Sequence, residues 1–138
     1  MINSRNFSDL HPKVKTLCEQ FIASCAKQNI DILITSTYRD AESQNALYAQ
    51  GRTAPGNKVT NAKAGQSFHN WHVAFDFVPI VNGKAQWNDT ALFTKCGEIA
   101  EAVGLEWAGR WKGKMIEMAH CQFTDGLSLA DFQNGKSI

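Results

Sequence analysis

Ser67-Phe68-His69-Asn70-Trp71-His72-Val73-Ala74-Phe75-Asp76 is the stretch on which the reading of this chain turns, together with Glu117-Met118-Ala119-His120. The first offers an imidazole and, seven residues on, a carboxylate set in an apolar run. The second ends in another imidazole, with a carboxylate three residues before it. Two histidines and one carboxylate are a common ligand set for a catalytic zinc, which keeps one coordination position open for water. The remaining carboxylate then suits the general base that such a water needs. These residue types in this pattern point to a zinc hydrolase.

Outward from that stretch, residues 73–80 are an apolar run of strand length. On an extended segment Ala74, Asp76 and Val78 share one face, and Val73, Phe75 and Phe77 share the other. A carboxylate so placed is expected to be partly buried and to need a partner, because an unpaired buried charge is costly. Arg39 and a metal are both open as that partner. Glu117 and His120 pose a different problem, since the sequence predicts a strand over 115–123. A spacing of three on a regular strand puts the two on opposite faces, so they converge only if the strand bends, bulges or ends between them.

The rest of the chain falls into short elements. Leu10, Val14, Leu17, Cys18, Phe21, Ile22 and Cys25 recur at steps of three and four, which predicts an amphipathic helix over about 8–27 capped by Ser8 or Asp9. Residues 31–36 read as a strand, and Asp40 reads as the cap of a helix over 41–50 that Gly51 stops. Residues 52–66 dissolve into Gly, Pro, Asn, Lys and Thr, a structureless length that is usually functional or mobile in a compact domain. Asn82-Gly83 is a hairpin turn signal. Asn88 or Asp89 caps a helix carrying Leu92, Phe93, Cys96, Ile99, Ala100 and Val103, with Gly104 after its end. Residues 105–107 read as a brief strand, 108–114 as turn, and 127–132 as one more helical turn. The class implied is α+β: one domain over 1–138, with a small, mainly antiparallel sheet, two to three main helices and no separate wall-binding domain.

Composition excludes several functions. A net charge of +1, with no run of Lys and Arg interleaved with aromatics, gives no electrostatic case for nucleic acid or an anionic membrane. No segment has the apolar length to insert in a bilayer, and the first residues lack a signal-peptide core, so synthesis in a cytoplasm is expected. Cys18, Cys25, Cys96 and Cys121 lack C-x-x-C spacing and read as buried free thiols.

Taken together, Ser67-x-His69 followed by Ala74-x-Asp76 resembles the S-x-H-x-x-G-x-A-x-D signature of the D-Ala-D-Ala metallopeptidase group, the LAS zinc peptidases with a hedgehog-like fold. Tyr38-Arg39, the run from Gln44 to Thr53, Pro55-Gly56, the run from Val59 to Ala62, Gly104-Leu105-Glu106-Trp107 and Glu117-x-x-His120 are similar to phage endolysins of the L-alanyl-D-glutamate endopeptidase kind. The resemblance implies zinc ligands at His69, Asp76 and His120, a base at Glu117, and at Arg39 the arginine that polarises the scissile carbonyl. It implies peptidoglycan as partner, a cut between L-Ala and D-Glu, a monomer, and a phage or prophage lysis protein reaching the wall from the host cytoplasm with holin help. Ser67, Gln44, His72 and Trp107 are the candidate substrate contacts.

Four positions depart from the pattern. His72 stands at the signature glycine, Ala119 where relatives often have Pro, Cys121 where an aromatic is usual, and Arg110 where close relatives carry an acid. His72 also has two further readings: a fourth ligand that would close the site, or a residue of the cleft or the solvent face. Trp71, Trp107 and Trp111 can wall a cleft for a sugar-peptide substrate, though core packing explains Trp107 equally well. Rival readings are a D-Ala-D-Ala carboxypeptidase of the same family, a zinc-stabilised wall-binding module, and an Asp76–Arg39 ion pair without metal. A non-haem iron oxygenase shares the ligand set, but such sites sit in β-sandwich jelly rolls rather than beside long helices.

Overall fold

A computed structural model of the chain describes residues 1–112 and 116–138. Helix α1 (Pro12–Lys27) begins later than its sequence pattern suggests. Ser8 and Asp9 lie in a preceding 3-10 turn, and it is the His11 ring that accepts from the Lys13 amide, with Pro12 in the first turn where its missing N–H costs nothing. Val14, Cys18, Phe21 and Cys25 form its buried stripe, at steps of four, three and four.

Strand β1 (Asp31–Ser36) is followed by α2 (Ala41–Ala49), which Asp40 caps through the Ser43 amide as expected. Strand β2 (Ala74–Val81) turns at Asn82 (φ 53°) and Gly83 (φ 77°) into β3 (Lys84–Ala85), the left-handed pair of a tight hairpin. Helix α3 (Thr90–Ala102) is capped by Asp89. Then come β4 (Glu106–Trp107), β5 (His120–Gln122) and the short α4 (Leu129–Gln133). The expected strand over 115–123 is thus a shorter one; Met115 at its start, with Gly113 and Lys114 of the expected turn over 108–114, lies outside the described residues.

The sheet order is β1-β2-β5-β4, with β3 also on β2, and every strand pair among the described residues is antiparallel. The α+β reading therefore holds, with three main helices and a fourth short one. Phe75 and Phe77 project from one face of β2. Phe21 of α1 meets both rings, at centroid distances of 5.9 and 5.0 Å, and Phe93 of α3 meets Phe77 at 5.5 Å. That face is the core. All four cysteines are buried free thiols, three of them in the helices that cover it.

Asp76 must then point to the opposite face, because neighbouring side chains on a strand alternate. Two irregularities open that face. The register slips between Ile34 and Ser36, which sets Ser36 opposite Asp76. His72 adopts the left-handed conformation (φ 65°) between the 3-10 turn Phe68–Trp71 and β2, reversing the chain so that His69 folds back over the strand it precedes. No helix among the described residues is long and apolar enough to cross a membrane.

Candidate metal centre and its cleft

Asp76 and His120 stand directly opposite each other in the β2–β5 ladder, so their side chains share a face. Glu117 sits before the start of β5, in a turn closed by the His120 amide on the Glu117 carbonyl at 3.2 Å. The strand ends between the two residues, which removes the obstacle that a spacing of three would pose. His69 arrives from the 3-10 turn, where the Ser67 hydroxyl accepts from its amide.

Three ligating atoms converge. His69 Nε2 lies 3.1 Å and His120 Nδ1 lies 3.3 Å from Asp76 Oδ1. The donor atoms of His69, Asp76 and His120 all fall within 4.8 Å of one another. Zinc with nitrogen and oxygen donors at about 2.0–2.2 Å keeps neighbouring donors roughly 3.3 Å apart in a tetrahedral set. The two distances to Asp76 Oδ1 match it.

Each imidazole is oriented from behind. His69 Nδ1 donates to the Thr37 carbonyl at 2.8 Å, which leaves Nε2 as the atom with a free lone pair. His120 Nε2 donates to Gln122 Oε1 at 2.8 Å, which leaves Nδ1 free. The Gln122 amide is fixed in turn, since its Nε2 donates to Glu106 at 3.2 Å. Thr124 adds its amide (2.9 Å) and hydroxyl (3.0 Å) to the same carboxylate. Outer partners of this kind set the tautomer and aim of a metal-binding histidine. Gln122 and Glu106 escaped the sequence reading, although alternation along β5 puts Gln122 on the His120 face.

The same three groups are coupled electrostatically. Burial alone would raise the Asp76 carboxyl, but the charge and hydrogen bonds of His69 and His120 outweigh it and hold the group well below the usual carboxylate range. Burial would lower His120, and its hydrogen bond and attraction to Asp76 push it above its ordinary value instead. Arg39 lies beside the pair, with its NH2 3.7 Å from Asp76 Oδ2 and its NH1 donating to Gln44 Oε1 at 2.8 Å. Its Nε–H is buried without an acceptor among the described residues.

These groups floor a cleft of about 830 Å³. Arg39, Ser67, His69, Asp76, Glu117 and His120 all line it. Glu117 faces the cleft without joining the three-residue cluster, the arrangement expected of a base rather than a ligand. Its walls include Asn3, Val59 to Ala62 from the segment expected to be functional or mobile, and Leu129 and Gln133 of α4. The Trp111 ring packs 5.6 Å from His120 at one side.

Three expected substrate contacts sit elsewhere. His72 neither ligates nor lines the cleft: its left-handed backbone breaks the strand alternation, and its ring stacks on Tyr38 at 4.0 Å while Nδ1 donates to the Asp9 carbonyl at 2.7 Å. Trp107 is core, only 4% exposed, packed so closely on Gly97 and Gly109 that a Cβ on either would collide with the indole. Gln44 is fully buried behind Arg39.

The chain resembles known proteins. The family model VanY, D-alanyl-D-alanine carboxypeptidase, matches residues 8–123. The chain belongs to the VanY family. Over 120 residues it is 39% identical to the peptidoglycan L-alanyl-D-glutamate endopeptidase CwlK of Bacillus subtilis strain 168, covering 76% of this chain and 68% of that protein. Its VanY-family fold superposes on the L-Ala D-Glu endopeptidase ChiX of Serratia marcescens with a TM-score of 0.66 at 16% identity, covering 95% of this chain and 92% of that one. The vancomycin resistance D,D-pentapeptidase VanY, solved in complex with Zn(II), superposes with a TM-score of 0.62 at 14% identity, covering 91% and 84%.

Proposed function

We propose that this VanY-family chain is a zinc-dependent peptidoglycan hydrolase that cuts the stem peptide between L-Ala and D-Glu. The observation that carries the reading is the convergence of His69 Nε2, His120 Nδ1 and Asp76 Oδ1 at the floor of a cleft that Glu117 and Arg39 also face. Those three residues would hold zinc, which when bound would supply a water of lowered pKa and a Lewis acid for the scissile carbonyl.

The chain's own residues do the rest. Glu117 takes a proton from the attacking water and returns it to the leaving amine. Arg39 meets the negative charge that develops on the carbonyl oxygen, and its burial makes that charge worth more than it would be in water. Ser67, on the cleft wall, offers a hydroxyl to the peptide backbone.

An endopeptidase is favoured over a carboxypeptidase by what lines the cleft. A free C-terminal carboxylate calls for a dedicated cation. Arg39 is the only Lys or Arg among the described cleft residues, and it is engaged by Gln44 and Asp76. The L-alanyl-D-glutamate activity of the 39% identical relative supports the same choice. On this reading the setting is lysis, the enzyme meeting the wall from the cytoplasm through a holin's action.

Mass spectrometry of purified peptidoglycan after digestion by the zinc-loaded protein tests the proposal. New D-Glu amino termini are expected, lost on chelation and regained with zinc. Release of D-Ala with the L-Ala–D-Glu bond intact would make it a carboxypeptidase. Wall sedimentation without new termini would make it a binding module.

A further inference from the structure

Gln44 presents an anomaly. It is fully buried, on a helix whose other buried residue is the small Ser43, and a buried primary amide is costly unless its groups are satisfied. Its volume alone would be served by Leu or Met. Both ends of the amide are used instead. The oxygen accepts from Arg39 NH1 at 2.8 Å, and the nitrogen donates to the Ala62 carbonyl at 2.7 Å.

Ala62 belongs to the cleft wall formed by Val59, Thr60, Asn61 and Ala62. That wall lies outside any strand, and side chains from α2 and its end hold it. Arg52 NH1 donates to the Thr60 carbonyl at 3.0 Å, Asn45 accepts from the Ala64 amide at 2.9 Å, and Gln50 donates to the Asn57 carbonyl at 3.0 Å. Among these ties Gln44 alone also grips Arg39.

We propose that Gln44 is a positioning residue that couples the 59–62 wall to Arg39, so that a peptide seated on the wall sets the guanidinium against the scissile carbonyl. The proposal rests on the reading of Arg39 given above. Its two arms are separable: the bond to Arg39 governs turnover, and the bond to Ala62 governs the wall and therefore substrate affinity.

The test compares zinc-loaded wild type, Gln44→Leu and Gln44→Glu by kcat and KM on a stem peptide, and by amide hydrogen exchange of residues 57–64. Leu breaks both arms. It should lower kcat about tenfold, the worth of a hydrogen bond to a charged group, and raise KM. Glu keeps the acceptor for Arg39 but loses the donor to Ala62. It should raise KM and wall exchange about fivefold, the worth of a neutral hydrogen bond. Unchanged exchange in both variants, or an unchanged kcat in the Leu variant, would overturn the coupling. Should Leu fail to fold, the Glu variant decides alone. A wild type that cuts no stem peptide would sink the functional reading, while exchange would still decide whether Gln44 holds the wall.

Discussion

Asp76 Oδ1 and His120 Nδ1 face each other at 3.3 Å because the two residues are registered partners in neighbouring antiparallel strands. The pairing means that the centre is built largely by the sheet, and only His69 comes from outside it. What holds His120 in that aim is the bond from its Nε2 to Gln122, itself fixed by Glu106.

Gln122→Leu removes the acceptor and leaves a buried N–H without a partner. Zinc affinity should fall about 10–100-fold, the usual cost of losing an outer partner of a metal-binding histidine. Competition against a chelator of known affinity measures it. Unaltered affinity would show that the ladder alone aims the ring.

Gly97 lacks a side chain because the Trp107 indole occupies the place of its Cβ. The same indole donates from Nε1 to the Met118 carbonyl at 2.8 Å, bracing the turn between Glu117 and His120. Gly97→Ala should therefore destabilise the fold by about 1–3 kcal/mol, the range for overpacking, despite alanine's better helix propensity. Chemical denaturation reads the change. A gain in stability would mean that Trp107 is free to shift.

Much of this was legible in the chain. Strand β1, the Asn82-Gly83 hairpin and the Asp40 and Asp89 caps follow from local rules that the structure obeys. His69, Asp76 and His120 were recognisable as a donor set by residue type and motif. Their partners were harder to see. The Thr37 carbonyl is backbone and leaves no mark on the sequence. Gln44 entered as a contact through the family resemblance and Trp107 as a cleft wall that core packing explains equally well; burial against Arg39 and Gly97 turns both inward. Residues 52–66 looked structureless because their order comes from long-range side-chain bonds, which no periodicity reports.

His72 occupies a left-handed backbone position at φ 65°. Such a conformation costs a non-glycine residue roughly 1–2 kcal/mol, and the Tyr38 stack and the Asp9 hydrogen bond offset part of it here. His72→Gly should leave zinc stoichiometry and cleavage rate near wild type and shift the melting temperature by only a few degrees, since strain and contacts vanish together. Loss of metal in this variant, read by elemental analysis, would return His72 to the ligand set.

The central claim is that Glu117 serves as the base beside a metal held by His69, Asp76 and His120. The most direct measurement is the rate of stem-peptide cleavage by Glu117→Gln, with its zinc content matched to wild type. Glutamine keeps the size of the side chain and cannot accept the proton. Full zinc occupancy is expected, with cleavage slowed by roughly 10²–10⁴-fold, the contribution of a positioned acid–base group. Cleavage near the wild-type rate by the zinc-loaded variant would contradict it.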